Sequence, residues 1–338
     1  MIIRVEKKKA EKLRRELAKR GLLEQGAAGS DEKYVYFGFA GKAGDSILKR
    51  YGAQASKKKI RKRAAQPKSI MEVLRGRLPE GELKEVTRAY DVIGDIAVLL
   101  IKPELEKRER LVAEAILKVH KNVKTVVKRL GKVEGEYRVR DVEFLAGEKR
   151  TETTHREHGC RYLLDVSKVF FTPRLATERL RVAKKVKKDE TVLDMFAGVG
   201  PFAVLIAKTS GARVIAVEIN PDAVEYMRKN VGLNKVDSLV EVREGDARDV
   251  CRGFKVDRVV MNLPKMAEGF LPVALGVLKP EGVVHYHVLV KGGMFEEKIL
   301  ETKGIVESNK RKFRLLEWNK GRQVSPKEWI ACIDFNAL

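Results

Sequence analysis

The sequence predicts an α/β protein with a doubly wound parallel sheet, preceded by an α+β domain and a small basic N-terminal module. Three observations predict this arrangement. In residues 166–338, short apolar strands alternate with helices, which is the pattern of a parallel sheet with helical crossovers. Residues 67–165 mix helices with half-buried alternating strands. Residues 1–66 carry more than half of the net positive charge, so we expect the domain boundaries near residues 66 and 165.

Composition excludes several classes of protein. The 338 residues contain no uncharged apolar run of the roughly 18 residues that a membrane span needs, so we expect no membrane association. The first residues, "MIIRVEKKKAEKLRREL", lack the apolar centre of a signal peptide. Cys160, Cys251 and Cys332 are widely spaced and odd in number, which favours a reduced, cytoplasmic protein without a disulfide framework. No obligate protein partner is indicated, and we expect a monomer.

The net charge of +23 is concentrated at one end of the chain. Residues 1–66 hold 19 Lys and Arg against 7 Asp and Glu, whereas residues 67–165 hold 21 against 18. A uniformly solvated, lysine-rich surface would spread such an excess more evenly. The concentration therefore favours a polyanionic partner, and nucleic acid is the first candidate because phosphate contacts dominate its binding.

The N-terminal module is predicted from three segments. "VEKKKAEKLRRELAKRGLL" has apolar residues at helical spacing and a basic outer face. "GSDEKYVYFGF" predicts a turn followed by a strand at Tyr34–Phe39. The basic run "SKKKIRKRAAQPKS" (56–69) predicts a linker that either contacts phosphates or is a solvated tether.

The middle block is predicted to be an α+β domain. We expect helices in "SIMEVLRGRL" and "PELEKRERLVAEAILKVH", one buried strand in "DVIGDIAVLLI", and further strands in "KTVVKRL", "GEYRVRDVEFLAG" and "CRYLLDVSKVFF". "THREHGC" is typical of a hairpin tip. Its His155 and His158 have no further ligands nearby, so we expect no metal site.

Four strands of the last block end in ligand-type residues. They are "TVLDMFAGVGPF", "ARVIAVEIN", "LVEVREGDA" and "DRVVMNLP", separated by the helical stretches "FAVLIAKTS" and "PDAVEYMRKNVGLN". In such sheets, ligands bind beyond the carboxyl ends of the strands. Gly198 and Gly200 would let the backbone approach a ligand closely. Glu218, 18 residues after Gly200, could accept hydrogen bonds from both ribose hydroxyls, and Asp246 could hold an adenine amino group.

The glycine pattern distinguishes between two cofactors. The fingerprint for NAD requires a third glycine, but Ala203 occupies that position. Asp194, directly before the glycine turn, suits a ligand that has no phosphate. S-adenosyl-L-methionine has a ribose, an adenine and a cationic sulfonium but no phosphate, and is therefore favoured over NAD.

Four segments together resemble a known family. "DMFAGVGPF", "MNLPKMAEGF", "FFTPRLATERLR" and "GEYRVRDVEFLAGE" resemble the archaeal and eukaryotic tRNA (guanine-37 N1)-methyltransferases, from about Met71 to the end of the chain. "VSPKEWIACIDF" resembles that family's final strand, and the archaeal branch with an extra N-terminal module is similar to the whole chain. The resemblance implies a class I Rossmann-like methyltransferase domain that uses S-adenosyl-L-methionine, an RNA-binding α+β domain and an N-terminal module that binds tRNA.

The resemblance also implies roles for single residues. Glu178 matches the family's general base, which removes the proton from guanine N1. Arg138 matches an arginine that contacts guanine O6, and Asn262 and Pro264 match the family's Asn-Leu-Pro. Without the resemblance, Glu178 reads as a helix carboxylate paired with Arg174 or Arg181, and Arg138 as a solvent-facing strand residue. The residues expected to bind the cofactor are Arg179, Asp194, Gly198, Gly200, Glu218, Ile219, Asp246, Ala247 and Asn262.

One residue departs from the family pattern. Phe170 stands where the family has tyrosine, which leaves stacking or packing but removes any hydrogen bond from a hydroxyl.

Three rival functions remain open. The first is transfer of an aminocarboxypropyl group in the wyosine pathway, by a related enzyme with the same sheet and cofactor. The second is methylation of an exocyclic amine, which usually uses Asn/Asp-Pro-Pro-Tyr/Phe rather than Asn262-Leu263-Pro264. The third is RNA binding by a disused cofactor fold, which the intact acidic strand ends oppose.

Overall fold

The protein divides into two compact units, residues 1–72 and residues 73–338. The structure is a computed structural model that describes residues 1–42, 45–58, 67–87, 89–131 and 141–338. Within those ranges, no helix combines the length and apolar character needed to cross a membrane. A further division of the second unit near residue 165 stays a prediction.

The first unit is a four-stranded antiparallel sheet in the order β2-β3-β1-β4, with one long helix against it. Its apolar core lies between the sheet and the buried face of that helix, which carries Ala10, Leu13 and Leu17. The elements are β1 (Ile2–Glu6), α1 (Lys7–Lys19), β2 (Leu23–Ser30), β3 (Tyr34–Phe39), α2 (Ser46–Tyr51) and β4 (Gln54–Ala55).

Strand β3 has the predicted bounds, but the predicted helix begins two residues later than Val5. Val5 belongs to β1 and pairs with Val35, because alternate residues of "IIRVE" are buried in the sheet. The predicted basic linker is described only at its two ends, since residues 59–66 lie outside the described ranges.

The first part of the second unit contains a four-stranded sheet in the order β5-β6-β7-β8 and a separate hairpin, β9-β10. The pair β6-β7 is parallel, and β5-β6 and β7-β8 are antiparallel. The elements are α3 (Ile70–Leu74), α4 (Glu80–Glu85), β5 (Asp91–Ile93), β6 (Ile96–Leu99), a 3₁₀ helix (Pro103–Arg108), α5 (Glu109–Val119), β7 (Thr125–Arg129), β8 (Val142–Gly147), β9 (Glu152–Glu157) and β10 (Cys160–Asp165).

The prediction of a single strand in "DVIGDIAVLLI" is wrong, because the segment folds back on itself as the hairpin β5-β6. Gly94 at the turn has φ of 58°, which a side chain rarely adopts, and a Cβ there would collide with Thr153. The predicted hairpin tip at "THREHGC" is confirmed, with His158 and Gly159 in the left-handed region between β9 and β10.

A seven-stranded sheet in the order β13-β12-β11-β14-β15-β17-β16 forms the rest of the second unit. Strands from β13 to β15 are parallel, and β17 runs antiparallel to both of its neighbours. The order reverses direction at β11 and β14, which opens a crevice at their carboxyl ends. The elements are a 3₁₀ helix (Pro173–Leu175), α6 (Ala176–Lys185), β11 (Thr191–Asp194), α7 (Pro201–Ser210), β12 (Arg213–Glu218), α8 (Pro221–Asn234), β13 (Val240–Glu244), α9 (Ala247–Val250), β14 (Val256–Met261), a 3₁₀ helix (Ala267–Phe270), α10 (Leu271–Val277), β15 (Leu278–Lys291), α11 (Phe295–Ser308), β16 (Phe313–Ser325) and β17 (Glu328–Ala337).

An apolar core lies on each face of this sheet. One contains α10 and the buried side chains of β14, β15 and β17. The other contains α7 and α8, and it extends without a break to Ile96, Val98 and Val127 of the smaller sheet. The α+β sheet and the parallel sheet therefore share a core, which holds residues 73–338 together.

Candidate active site at the carboxyl edge of the parallel sheet

The glycine turn after β11 is built for a close backbone approach. Gly198 has φ of 55° and Gly200 has φ of 84°, both in the left-handed region that favours glycine. A Cβ on Gly200 would lie 3.0 Å from Cγ of Met227. Pro201 then begins α7 at the first helical position, where its missing N–H costs nothing. The turn thus requires glycine for both conformation and space.

Glu218 ties the end of β12 to this turn. Its Oε2 accepts a hydrogen bond of 2.7 Å from the Gly198 N–H, and its Oε1 accepts from the N–H groups of Ile219 at 3.0 Å and Asn220 at 2.9 Å. Burial raises the pKa of the Glu218 carboxyl. A carboxylate oxygen has two lone pairs, so Oε2 can accept one more hydrogen bond, as a ribose hydroxyl would require.

Asp194 is a buried carboxylate without a well-aligned hydrogen bond from the described part of the protein. It is 1% exposed, and neither of its oxygens has a partner within hydrogen-bonding geometry in the described ranges. Burial, helped by the charge of Glu218 and opposed by the backbone N–H groups of Phe196 and Ala203, raises the pKa of this carboxyl to about 7. An unpartnered buried carboxylate is costly, and a cationic ligand would remove the cost. This observation fits S-adenosyl-L-methionine, which carries an ammonium and a sulfonium.

Asp246 differs from Asp194 because it already has a cation beside it. It accepts hydrogen bonds from the Arg248 N–H at 2.7 Å and from Arg248 Nη2 at 2.5 Å, and it caps α9, which begins at Ala247. The Arg248 hydrogen bond lowers the pKa of Asp246. An adenine contact at Asp246 and Ala247 stays a prediction.

The loop after β14 holds Asn262 with its amide unengaged. The Pro264 carbonyl accepts from the Leu289 N–H at 3.2 Å, and the Leu263 carbonyl accepts from the N–H of Ala267 at 2.8 Å. The first bond fixes the loop to β15, and the second closes a turn within the loop itself. The half-buried Asn262 side chain makes no hydrogen bond to any part of the chain that the structure describes, so it is available to a ligand.

Glu178 is linked to strand β15 by a hydrogen bond with His287. Met261, the last residue of β14, pairs with Tyr286, and His287 follows one position farther along β15. His287 Nε2 lies 3.1 Å from Glu178 Oε1 and donates to it, because a carboxylate can only accept.

Arg181 also donates to Glu178, with hydrogen bonds of 2.7 Å to Oε1 and 2.8 Å to Oε2. Burial would raise the pKa of Glu178, but the hydrogen bonds from Arg181 and His287 outweigh it and hold that pKa well below its usual range. Of the two ion pairs that the sequence left open for Glu178, the one with Arg181 forms, whereas Arg174 binds Asp91.

The Glu178 pair belongs to a larger network between α6 and the last strands. Arg181 also binds Asp334 and Glu317, and Asp334 accepts from His285 at 2.7 Å. Ligand atoms of Glu178, His287 and Cys332 lie within 4.8 Å of one another. Arg181 engages both Glu178 oxygens, and burial raises the pKa of the Cys332 thiol; the expectation that no metal binds stays a prediction.

Sequence reasoning missed His287. The available signal was "VVHYHVLV", a strongly apolar strand with two histidines on one face. His287 is 1% exposed, and its Nδ1 has no partner among the described residues. The hydrogen bond to Glu178 accounts for a buried histidine at this position.

Two arginines were predicted to belong to the site, Arg179 and Arg138, and the structure describes only Arg179. Arg179 is buried in a two-bond ion pair with Glu157, at 2.7 and 2.6 Å, and also donates to the Thr172 carbonyl at 3.1 Å. Its contact with the cofactor stays a prediction that rests on the remaining nitrogen, Nη1. Arg138 lies outside the described residues, and its role also stays a prediction.

Phe170 borders the glycine turn. Its carbonyl oxygen lies 3.8 Å from the position of a Cβ built on Gly198, and its side chain is 49% exposed. An exposed aromatic face beside a ligand site is compatible with the predicted stacking role.

Three family models match the chain in succession. Residues 3–37 match the tRNA methyltransferase 5 N-terminal domain, residues 70–151 match the TYW2 N-terminal domain, and residues 153–315 match the TRM5/TYW2 methyltransferase domain.

Curated relatives cover most of the chain. A tRNA (guanine(37)-N(1))-methyltransferase Trm5b of Pyrococcus abyssi is 40% identical over 80% of this chain and 80% of its own length. A protein with the same name from Methanocaldococcus jannaschii is 35% identical over 99% of this chain and 98% of its own length. A tRNA(Phe) (4-demethylwyosine(37)-C(7)) aminocarboxypropyltransferase of Pyrococcus horikoshii is 35% identical over 80% of this chain and 96% of its own.

Solved structures agree with these relatives. A complex of aTrm5 with tRNALeu superposes with a TM-score of 0.80 at 34% identity, covering 99% of both chains. The structure of P. horikoshii TYW2 in complex with MeSAdo gives 0.67 at 33% identity, over 80% of this chain and 98% of that one. The chain belongs to the TRM5/TYW2 family of methyltransferases.

Proposed function

We propose that this protein transfers a methyl group from S-adenosyl-L-methionine to N1 of guanine 37 in tRNA. The observation that carries the proposal is the pair of hydrogen bonds by which Arg181 and His287 hold Glu178, with His287 on the strand that pairs with β14, the strand leading into the Asn262 loop. Full-length similarity to proteins named for this activity supports it.

The cofactor would be held by the residues at the four strand ends. Glu218 offers Oε2 to the ribose, the unpartnered Asp194 carboxylate faces positive charge, and Gly198 and Gly200 allow the close approach. When bound, S-adenosyl-L-methionine supplies a methyl group already activated by its sulfonium. The protein therefore has to prepare the acceptor.

Glu178 would accept the proton from guanine N1 at its Oε2 atom. Oε1 already accepts from both Arg181 and His287, whereas Oε2 accepts only from Arg181 and keeps one lone pair. The low pKa of Glu178 makes it a weak base, so charge developing on guanine O6 must be stabilised at the same time. Family resemblance gives that task to Arg138.

The loop at the end of β14 would orient the acceptor. The unengaged Asn262 amide can bond the base or the methionine part of the cofactor, while Pro264 and its carbonyl contact to β15 keep the loop rigid.

The RNA would be gripped by the rest of the chain. A base that reacts in a deep pocket must leave its stack, and the α+β domain would hold the surrounding stem. The basic N-terminal module would bind elsewhere on the tRNA. Cys160, Cys251 and Cys332 are buried and free, which supports action in a reducing compartment, and we propose that the protein works there as a monomer.

Aminocarboxypropyl transfer is the alternative, because one relative of similar identity bears that name. The match of the N-terminal module to the methyltransferase 5 model, and the coverage of nearly the whole chain by a methyltransferase, favour methyl transfer.

The deciding experiment incubates the protein with S-adenosyl-L-methionine that is labelled on both its methyl and its carboxypropyl carbons. Unmodified tRNA is the acceptor in one reaction, and tRNA carrying 4-demethylwyosine at position 37 is the acceptor in a second one. Nucleoside mass spectrometry should find 1-methylguanosine, and mapping should place it at position 37. A tRNA with adenine at position 37 is the control and should take up no label. A product that carries the carboxypropyl label would show that the protein transfers an aminocarboxypropyl group instead of a methyl group.

A further inference from the structure

Asp91 is a buried carboxylate shared by two arginines. Arg129 Nη2 lies 2.9 Å from Oδ2, and Arg174 Nε lies 2.5 Å from Oδ1. Asp91 is 4% exposed, whereas the side chains of Arg129 and Arg174 are 22% and 39% exposed. Each arginine therefore uses one donor on Asp91 and keeps the others available.

A third arginine has no carboxylate of its own. Arg322, on β16, is half-buried, and its Nε is shielded from solvent without a hydrogen-bond partner. It makes no ion pair anywhere in the described parts of the chain. Burial lowers the pKa of Arg322, and the charges of Arg174 and Arg129 lower it further while Asp91 opposes them. Arg322 therefore lies within electrostatic range of the Arg129–Asp91–Arg174 group, which brings three guanidinium groups near one carboxylate.

Such an excess of positive charge is unfavourable in the free protein. A shielded cation without a counter-ion pays a desolvation cost, and like charges nearby add repulsion. Guanidinium groups are planar donors whose geometry matches carboxylate and phosphate oxygens. The group of three arginines therefore has the charge and the donors to bind one further oxyanion.

The cluster adjoins the candidate active site. Arg129 lines a narrow groove together with the exposed Phe170. Phe170 in turn borders the glycine turn at Gly198. An aromatic face next to a group of arginines is a common setting for a nucleotide, with the base stacked and the phosphate bound.

We propose that Arg129, Arg174 and Arg322 bind one phosphodiester group of the RNA substrate, next to the nucleotide that is modified. The identity of the RNA rests on the proposed function. The same oxyanion chemistry could be supplied by the cofactor's carboxylate. RNA is favoured because Arg129 and Asp91 come from the smaller sheet, away from the four strand ends that line the cofactor site.

The test compares Arg322→Gln with Arg314→Gln. Arg314 lies on the same strand, is exposed, and donates to Asn336 Oδ1 at 2.8 and 3.2 Å, so its loss removes an equal charge outside the cluster. Three quantities are measured on the full chain: affinity for a tRNA transcript across a salt series, affinity for S-adenosyl-L-methionine by calorimetry, and thermal midpoint.

Arg322→Gln should weaken tRNA binding about tenfold and reduce the slope of log affinity against log salt by roughly 0.7–0.9. Cofactor affinity should not change. The thermal midpoint of the free variant should equal or exceed that of the wild type, because an unpaired cation has been removed. Inorganic phosphate should raise the midpoint of the wild type more than that of Arg322→Gln, against chloride at matched ionic strength. Arg314→Gln should leave tRNA affinity unchanged.

Two results would overturn the proposal. A lower midpoint with unchanged tRNA affinity would make Arg322 a structural residue. Weaker cofactor binding with unchanged tRNA affinity would assign the arginines to the cofactor's carboxylate. RNA affinity is measured without methyl transfer, so failure of the phosphate site and failure of the proposed reaction are distinguishable.

Discussion

Two carboxylates in the candidate site have opposite environments. Glu178 accepts hydrogen bonds from Arg181 and His287, and its pKa lies well below the usual range, whereas the burial of Asp194 outweighs its backbone N–H neighbours and raises its pKa to about 7. Carboxylates whose pKa values are pushed apart usually have different tasks. Here one would take a proton from the RNA base, and the other would face a cation.

Glu178→Gln should slow a single round of methyl transfer by roughly 10²–10⁴-fold, because the base is lost while the shape of the side chain is kept. Affinities for tRNA and cofactor should stay close to wild type. Glu317→Gln is the matched control, since Glu317 also binds Arg181 at 2.6 Å but makes no bond to His287. Rapid-quench kinetics measure the rate, and an unchanged rate in Glu178→Gln would refute the assignment.

The same group sets an expectation for pH. Because the pKa of Glu178 is lowered from its ordinary value of 4.5, the carboxylate stays ionised throughout the neutral and mildly acidic range. Its stabilising effect on the fold is present above 4.5 and is lost as the pH falls towards its folded-state pKa.

Asp194→Asn should raise the thermal midpoint of the ligand-free protein near pH 8 and weaken cofactor binding. The carboxyl has a folded-state pKa of about 7 against an ordinary value of 3.8, so its ionisation disfavours the fold increasingly as pH rises through that window. The gain in midpoint should therefore shrink as the pH falls towards 4. Scanning calorimetry at several pH values measures it.

Binding of a cation should also expel the proton from Asp194. Calorimetric titrations near pH 6, in buffers of different ionisation enthalpy, should show proton release by the wild type that Asp194→Asn lacks. Equal proton release by both proteins would mean that Asp194 does not face the cofactor.

At the scale of elements, the glycine turn joins β11 to α7 and receives Glu218 from β12. Glu218 links two neighbouring strand ends through backbone N–H groups, so the turn and the ribose carboxylate form one rigid unit. This unit was largely predictable, because glycine spacing and the acidic end of the next strand are both local features of the sequence.

Gly200→Ala should destabilise the protein by about 1–2 kcal/mol and also weaken cofactor binding. Its φ of 84° strains any side chain, and the new Cβ would press on Met227. Gly211→Ala pays a similar conformational cost at φ of 74°, but at the far end of α7, next to the flexible Lys188. Chemical denaturation and calorimetry should therefore show stability loss in both variants and cofactor loss only in Gly200→Ala. Equal cofactor affinities would show that the turn does not approach the ligand.

Element predictions failed where a turn or a pairing partner decided the outcome. "DVIGDIAVLLI" is apolar enough for one strand, yet Gly94 folds it into a hairpin. Val5 continues a helical pattern in the sequence, but pairing with Val35 makes it part of a strand. Periodicity alone does not carry either piece of information.

At the scale of the whole molecule, residues 1–72 form a unit with its own apolar core, and residues 1–66 carry a charge excess of 12. A separate core allows the basic module to be removed without exposing the core of the rest.

Deleting residues 1–66 should weaken tRNA binding, with a loss that is largest at low salt, and should leave cofactor affinity unchanged. Fluorescence anisotropy with tRNA across a salt series measures the first, and calorimetry measures the second. If the full-length and truncated proteins bound tRNA with equal affinity, the module would have a function other than tRNA binding. Reduced cofactor affinity would indicate that the remaining chain had been disturbed.

The sequence by itself determined the alternation of strands and helices along the chain, the glycine turn, and the acidic residues at the strand ends. All of these follow from spacing within a few turns or strands, which local periodicity records. The tertiary structure decided which charges meet. His287 holds Glu178 from 109 positions away, and Arg322 comes within electrostatic range of Asp91, Arg129 and Arg174. Such partners depend on how β14, β15, β17 and β16 pair, and no local pattern encodes that register.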